Sequence, residues 1–259
     1  MIAAGRAYLF ATIAFLYLPI ALMVVMAFND SALYALPIEP SLRWFEALAD
    51  NGPLLAATRN SVVIASATSV IATALGTLAA LALNRRRFRG QTLLKVLLLP
   101  PIAIPWLITG TAMLVFFFWT GIGRGIHAMM IGHVALALPY VVLIVGTGLQ
   151  TLRSDLEEAA MSLGSTPLHA FFSVTLPPLL PSIVAAALFA FAVSLDQFVV
   201  SYFLSTPGVS TLPVEIYSSI RKGFTPEINA ISTIFLGVST LLVLIFAQLS
   251  DLRGRRERR

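Results

Sequence analysis

Cysteine and charged residues are scarce in this sequence, and each scarcity excludes a class of protein. None of the 259 residues is cysteine, which excludes disulfide bonds and thiolate metal sites. Only 11% of the residues are charged and 58% are hydrophobic, whereas a soluble domain has about 25% charged residues. A chain this apolar must have lipid as part of its solvent, so we predict a membrane protein.

The motifs of common hydrolases are also missing. The sequence has no G-x-x-x-x-G-K-[ST] phosphate loop, no H-E-x-x-H and no G-x-S-x-G. The usual motifs of nucleotide hydrolases, zinc hydrolases and serine hydrolases are therefore missing. His127, His133 and His169 are scattered, and each is expected to be a packing or interface residue rather than a metal ligand. We expect no enzyme activity in this chain and no cofactor or metal bound by it.

Six apolar runs are long enough to cross the hydrocarbon core, which requires about 20 helical residues. Within them Asp196 is the only acidic residue, and no lysine or arginine occurs. The first run follows Arg6 like a secretory signal, but it is too long for a signal core and has no clear A-x-A site, so we interpret it as an uncleaved span. We predict an all-α polytopic protein with six transmembrane helices, at residues 8–28, 61–83, 96–119, 127–149, 182–204 and 228–249.

The basic residues favour an orientation with both termini in the cytoplasm, because short cytoplasmic loops retain Lys and Arg. An even number of spans puts both termini on one side. Twelve of the 17 basic residues are then cytoplasmic. The pI near 10.0 therefore reflects topology rather than nucleic-acid binding, although the basic C-terminus could also touch anionic lipid. The cytoplasmic set is Arg6, Arg85, Arg86, Arg87, Arg89, Lys95, Arg153, Arg253, Arg255, Arg256, Arg258 and Arg259. The external set is Arg43, Arg59, Arg124, Arg221 and Lys222.

Small residues and prolines indicate how the spans pack. The second run has small residues at four-residue spacing, which lets a neighbouring helix backbone approach closely. Pro105 in the third run and Pro139 in the fourth each remove a helix hydrogen bond, so both runs are expected to kink or break. The small residues are Ala65, Ser69, Ala72, Gly76 and Ala80.

A polar stretch between the fourth and fifth runs has the signals of a short helix. Ser154 precedes Glu157 by three residues, which is the form of a capping box, and carboxylates in the first turn suit the helix dipole. Gly164 fits the left-handed position after a helix of about nine residues. A helix this short needs tertiary contacts to be stable. These signals fit either an interfacial loop packed on its own bundle or a docking element for a cytoplasmic partner.

A second helix start follows directly. Thr166 is the expected cap and Pro167 suits the first turn. We expect this second helix to end at Pro177, because proline lacks the N–H that would continue it.

The spacing of this stretch resembles the EAA loop of binding-protein-dependent ABC importer permeases, the MetI-like family. Glu158, Ala159 and Ala160 are followed after three residues by Gly164, and after nine more by VTLP, which ends at Pro177. Val174 stands where the family often has isoleucine. The resemblance implies a type I ABC importer permease fold, with a single permease domain over residues 1–259 and an EAA loop at 150–181. It further implies that the short helix is a coupling helix seated in a groove of an ATPase subunit. The implied coupling residues are Glu158, Ala159, Ala160, Leu163, Gly164, Leu176 and Pro177.

Three other segments are similar to the second permease of spermidine/putrescine importers. They are RWFEALADNGPLLAATRNS, SLDQFVVSYFLS and LPVEIYSSIRKGFTPEINAISTI. The resemblance implies a polyamine or related cationic amine as the solute, although related permeases also handle opines and amino-acid derivatives. It implies a bacterial inner-membrane location, a second permease subunit, an extracytoplasmic solute-binding protein and two copies of a cytoplasmic ABC ATPase that holds ATP and Mg.

Asp196 is the candidate residue of the solute pathway, because a carboxylate at membrane depth is costly and usually faces a partner or water. Helical spacing puts Phe189, Val193, Val200 and Phe203 on its face, so the carboxylate and the rings could hold an ammonium group together. The alternatives are a structural ion pair with the partner permease, or a protonated Asp196 bonded within the bundle.

A self-contained secondary transporter or channel is the alternative function. Such a protein would need no ATPase, but this interpretation does not explain the polar stretch between the fourth and fifth runs. The sequence also shows no internal repeat of the kind that many such transporters have. An intramembrane enzyme would need a paired acid and base or a metal cluster at membrane depth, where the sequence provides one carboxylate.

Overall fold

The chain folds into helices in the computed structural model, which describes residues 2–32, 35–85, 88–98, 100–223 and 226–256. These residues form thirteen α-helices and one π-helical turn, and they contain no β-strand. Four of the predicted cytoplasmic residues, Arg86, Arg87, Arg258 and Arg259, lie outside the described residues. The helices are α1 (Ile2–Ala27), α2 (Arg43–Asp50), α3 (Gly52–Arg85), α4 (Gln91–Leu97), α5 (Pro100–Ala103), α6 (Trp106–Trp119), α7 (Ile126–Gln150), α8 (Ser154–Ser162), α9 (Pro167–Ala170), α10 (Leu176–Leu195), α11 (Val199–Leu204), α12 (Leu212–Lys222) and α13 (Glu227–Arg256); the π-helical turn is Phe171–Thr175.

Four helical stretches in the described part of the chain are long and apolar enough to cross a membrane. They are Gly5–Ala27 in α1, the helices α3 and α7, and the stretch Pro167–Leu195. A fifth results if the bent pair of Gln91–Ala103 and Trp106–Trp119 is counted as one span. The sixth predicted run lies in α13, whose apolar part with described side chains, Glu227–Leu241, is shorter than a full span. The all-α membrane class is confirmed, and the number of six spans stays a prediction.

The third predicted run breaks at Pro105. The helical pieces on either side of this residue meet at 110°. Pro105 has an extended backbone, with ψ of 132°, and stands as the N-cap of α6, where a missing N–H disturbs no intrahelical hydrogen bond. The predicted break is confirmed. Helix α7 continues through Pro139, and the kink expected there stays a prediction.

The helical stretch that begins at Pro167 continues past Pro177, so the prediction that this proline ends a helix is wrong. Helix α9 passes into the π-helical turn, and α10 follows at Leu176 without a gap, with Pro177 in its first turn. Proline is tolerated there because the first N–H groups of a helix have no intrahelical partner.

The fifth predicted run is not one continuous helix, and that prediction is also wrong. Helix α10 ends at Leu195, and α11 begins at Val199. Helical spacing therefore does not extend from Asp196 across the break to Val200 and Phe203. The sequence between the two helices contains neither proline nor glycine, so the break had no local signal.

The predicted small-residue face of α3 is confirmed as a close packing surface. Ala65, Ala72 and Ala80 are fully buried. A Cβ atom on Gly76 would lie 2.5 Å from Cγ1 of Val141 in α7, so no larger residue fits without a shift. Ser69 belongs to the same face and donates a hydrogen bond of 2.7 Å to the carbonyl oxygen of residue 187 in α10. Helix α3 is thus packed on both α7 and α10.

The chain divides into two compact units, Ala56–Glu215 and the remainder on either side of it. In the remainder, α1 and α2 both pack against α13. The turn after α1 is fixed by buried Asn29, whose carbonyl oxygen accepts a 2.6 Å hydrogen bond from Nε1 of Trp44. Asn29 Oδ1 also accepts from the backbone N–H of Glu39 at 3.0 Å. The single permease domain expected over the whole chain stays a prediction.

Candidate functional site

Helix α8 is the short helix predicted in the polar stretch, and its nine residues match the predicted length. Arg153, not Ser154, stands at its N-cap, and the carboxylate of Glu157 is bound by Arg85 and Thr175. The predicted capping box is therefore wrong, because tertiary contacts engage the glutamate; the Ser154 side chain itself lies outside what the structure describes. Arg153 instead pairs with Asp155 at 2.5 Å, and its hydrogen bond to this carboxylate holds the pKa of Asp155 below its ordinary value.

The C-terminal end of α8 has the predicted left-handed glycine. Gly164 has a φ of +96°, its N–H donates to the carbonyl oxygen of Met161 at 3.0 Å, and the N–H of Ser165 donates to that of Ala160 at 3.1 Å. This pair of bonds is a Schellman motif, which satisfies the last carbonyl groups of the helix. Apart from Gly164 and its chain neighbours, no atom of the described residues lies within 4 Å of the position that a Cβ on Gly164 would take, so the requirement for glycine is conformational rather than steric.

The surface of α8 and the following turn exposes apolar side chains. Leu163 is 90% exposed and Leu168 is 72% exposed, and Glu158 and Ala159 are exposed as well. Leucine side chains exposed to this extent in one short segment are typical of an interaction surface. Three of the residues expected to act in coupling, Glu158, Ala159 and Leu163, are therefore accessible on one loop.

The second helix start is confirmed, and the remaining coupling residues follow it. Thr166 Oγ1 accepts a hydrogen bond of 3.3 Å from the backbone N–H of His169, and Pro167 is the first helical residue. Leu176 is half-buried and Pro177 is exposed. Both lie at the start of α10 rather than on α8, so they belong to the helix that leads into the membrane.

Three residues that we call the Arg85 cluster tie α8 to two long helices. Arg85, the last residue of α3, places Nη1 2.5 Å from Glu157 Oε2 and donates from Nη2 to Thr175 Oγ1 at 3.1 Å. The hydroxyl of Thr175, the last residue of the π-helical turn, donates in turn to the Glu157 carboxylate. The sequence gives no signal for this cluster, because its contacts join residues that are far apart in the chain, and the charge of Arg85 alone indicates only topology.

The break between α10 and α11 is held by a buried histidine of α7. His133 is 1% exposed, with Nδ1 2.8 Å from Ser194 Oγ and Nε2 3.0 Å from Ser201 Oγ. The ring therefore donates to one hydroxyl and accepts from the other, on opposite sides of the break. Gln197 is also buried; its Oε1 accepts from the N–H of Val199 at 3.2 Å, while its Nε2 has no acceptor among the described residues.

The residues predicted around Asp196 are only partly brought together. Asp196 is exposed at the end of α10, and Phe189 is 41% exposed on the same helix, with its ring 5.2 Å from that of Tyr140. Val193 is half-buried, whereas Val200 is completely buried in the core. Phe203 packs against α6: a Cβ on residue 110 would lie 2.9 Å from its ring. Only the α10 part of the predicted face is thus arranged as helical spacing implied.

No group of three or more histidine, aspartate and glutamate side chains in the described residues is placed to hold a metal ion. The distinctive features of the described residues are the exposed loop around α8 and the break between α10 and α11. Residues 72–256, which include both features, match the family described as "Binding-protein-dependent transport system inner membrane component". The chain belongs to this family. It is accordingly a multi-pass permease subunit of the inner membrane.

Individual relatives support the same assignment. The putrescine transport system permease protein PotI of Escherichia coli is 38% identical over 231 residues, which cover 86% of this chain and 82% of the relative. The spermidine/putrescine transport system permease protein PotC of Haemophilus influenzae is 35% identical over 241 residues, which cover 93% of each chain. The predicted resemblance to the permeases of such importers is confirmed.

A solved structure confirms the fold of these permeases. A bacterial ABC transporter that imports the acidic polysaccharide alginate superposes with a TM-score of 0.74 at 18% identity, over 96% of this chain and 95% of that chain. At this identity the likeness shows the fold and nothing further. The type I ABC importer permease fold expected from the EAA loop is therefore confirmed.

Proposed function

We propose that this permease is one of two different permease subunits of an ATP-driven importer for polyamines or related cationic amines. The solute class is supported by the two relatives, which are putrescine and spermidine/putrescine permeases. The structural observation that supports this solute class is the exposed carboxylate of Asp196, at the break in the fifth predicted span. A carboxylate in this environment is costly unless it meets a cation or water.

The proposed cation site is smaller than the sequence indicated. Asp196 and Phe189 are both exposed and lie on or next to α10, so the carboxylate and the ring can approach one ammonium group. Val193 lies beside them, half-buried. Val200 and Phe203 support the break from the core side, through their contacts with α7 and α6. The competing interpretation is an ion pair between Asp196 and the partner permease.

Coupling to ATP hydrolysis is assigned to α8. We propose that Glu158, Ala159, Ala160 and Leu163 enter a groove of a cytoplasmic ABC ATPase, with Gly164 ending the helix and Leu176 and Pro177 starting α10 behind it. The small alanines allow a close approach, and the exposed Leu163 would bury its apolar surface there. ATP binding would close two copies of the ATPase, and their motion would switch the pathway between inward and outward openings. ATP and Mg would be held by the ATPase alone, and a solute-binding protein would deliver the amine from outside.

Reconstitution tests this function directly. The permease should copurify with an ATPase and a second permease after mild solubilisation. In proteoliposomes with the cognate binding protein, radiolabelled putrescine or spermidine should accumulate only with ATP, and a neutral amino acid should not. Accumulation driven by an ion gradient without ATP would favour a secondary transporter. ATP-driven uptake of a neutral or anionic solute in place of polyamines would refute the solute class but keep the importer.

A further inference from the structure

We propose that the Arg85 cluster, formed by Arg85, Glu157 and Thr175, is the link that makes α3 and α10 move together with the coupling helix α8. This inference rests on the proposed coupling function of α8. It concerns side chains that do not dock on the ATPase, and it assigns a positioning task to Glu157, the residue that directly precedes the EAA sequence.

Helix α8 cannot transmit a displacement by itself. It has nine residues, too few to be stable as an isolated helix, and Gly164 ends it with a turn rather than a continuous helix. A force on its exposed face would therefore bend the connecting turns unless side chains fix the helix to the membrane-spanning part. Stiff transmission requires such contacts.

Glu157 provides these contacts on both sides at once. Its carboxylate accepts from the guanidinium of Arg85, at the end of a helix of 34 residues, and from the hydroxyl of Thr175, which directly precedes the 20-residue α10. Arg85 also donates to Thr175, so each member contacts the other two. Helix α3 is about 50 Å long at 1.5 Å per residue, and α10 is about 30 Å long. A displacement of Glu157 therefore acts on one end of α3 and on one end of α10, and both helices are long enough to reach across the bilayer.

The environment of the cluster makes it stiffer than an ordinary surface pair. The side chains of Arg85 and Glu157 are 32% and 17% exposed, and Thr175 is buried. The Arg153–Asp155 pair at the start of the same helix is 74% and 58% exposed. Exposed ion pairs contribute little because water competes for both partners, whereas a shielded pair that loses one partner leaves an unsatisfied charge behind.

The location of Thr175 also supports a role for the Arg85 cluster in moving α10. Thr175 is the last residue of the π-helical turn Phe171–Thr175. Single π-helical turns within longer helices occur frequently at functional sites. The turn lies at one end of α10, and Asp196 lies directly after the other end. The cluster therefore connects the coupling helix to the same helix that carries the proposed cation site.

The test measures solute uptake per ATP hydrolysed in the reconstituted importer. Glu157→Gln keeps the shape of the side chain and removes its charge, and it should lower uptake per ATP at least tenfold while basal hydrolysis stays within about twofold of wild type. Thr175→Val, which removes only the hydroxyl, should lower it a few-fold. Asp155→Asn, which breaks the exposed pair on the same helix, is the matched control and should leave the ratio unchanged.

Two further measurements separate this link from docking and from folding. The double exchange Arg85→Glu with Glu157→Arg should restore part of the ratio that either single change loses, because it re-forms the ion pair with its charges reversed. The melting temperature of the Glu157→Gln complex should stay close to that of wild type, which a folding defect would not allow. Copurification of the ATPase should be the same for Glu157→Gln and wild type. A wild-type ratio in Glu157→Gln, or loss of ATPase binding in that variant, would overturn the proposal. The interaction energy between Arg85 and Glu157 can also be measured from the melting temperatures of the single and double variants of the purified permease complex. This measurement needs no solute, so the link remains testable if the transported solute proves not to be a polyamine.

Discussion

His133 and Ser194 are joined by a hydrogen bond of 2.8 Å between Nδ1 and Oγ, although 61 residues separate them in the chain. The second ring nitrogen of His133 meets Ser201 at 3.0 Å, beyond the break. One buried side chain of α7 therefore holds the last turn of α10 and the first turn of α11. The exposed position of Asp196 between these two helices depends on this arrangement.

Replacing His133 with alanine should loosen the break. The change removes two hydrogen bonds and leaves two buried serine hydroxyls without this partner, at a cost of about 1–3 kcal/mol for each unsatisfied group. The melting temperature of the purified permease complex should fall by several degrees. His127→Ala is the matched control, because His127 is exposed and bonds a backbone carbonyl near the chain surface. An equal shift in the two variants would show that His133 does not support the break.

The contrast between α8 and this break shows what the sequence can and cannot predict. The left-handed turn at Gly164 could be predicted, because glycine adopts a positive φ without strain. The ends of α7 agree with the predicted run within one residue. These features depend on local composition. The break after Asp196 and the engagement of Glu157 by Arg85 depend on side chains far apart in the sequence. Spacing rules assume a continuous helix and a local cap, and distant contacts override both.

Gly164→Pro should impair coupling more than assembly. Proline cannot take a φ of +96°, and it has no N–H to donate to Met161, so the Schellman motif at the end of α8 should be lost. Solute-stimulated ATP hydrolysis and transport should both fall, and Glu158→Lys should act in the same direction. Gly237→Ala serves as a control, since Gly237 also has open space at its Cβ position but no positive φ. Full solute-stimulated hydrolysis and transport in the Gly164→Pro complex would contradict the coupling interpretation.

Gly76→Val should destabilise the packing of α3 on α7. A Cβ on Gly76 would already lie 2.5 Å from Val141 Cγ1, and valine adds two more methyl groups. Overpacking of this kind costs about 1–3 kcal/mol. Thermal unfolding in detergent should show the loss, whereas Ala74→Val at an exposed position of the same helix should have little effect. A wild-type melting temperature for Gly76→Val would mean that the two helices are not closely packed in the assembled protein.

The orientation of the chain is tested with reporter fusions. The distribution of basic residues predicts both termini and the loop around Glu158 in the cytoplasm, with Trp44 and Tyr217 on the outer side. Alkaline phosphatase is active only outside the cytoplasm, so it should be inactive when fused after residue 259 and active when inserted near Tyr217. An active C-terminal fusion would reverse the assignment.

Asp196→Asn should reduce transport of the cationic solute without preventing assembly. The substitution keeps the shape of the side chain and removes the charge that would attract an ammonium group at membrane depth. Uptake of putrescine at sub-saturating concentration should fall, while copurification with the ATPase and hydrolysis in the absence of solute should persist. Asp50→Asn, at an exposed position of α2, makes the same chemical change away from the break and should leave uptake unchanged. Unchanged uptake in Asp196→Asn would refute a pathway role, whereas loss of assembly would favour the ion pair with the partner permease. If uptake falls and assembly persists, Phe189→Leu should be added to the Asp196→Asn variant. This second change should lower uptake only slightly more, because the ring is proposed to act on the cation that Asp196 holds.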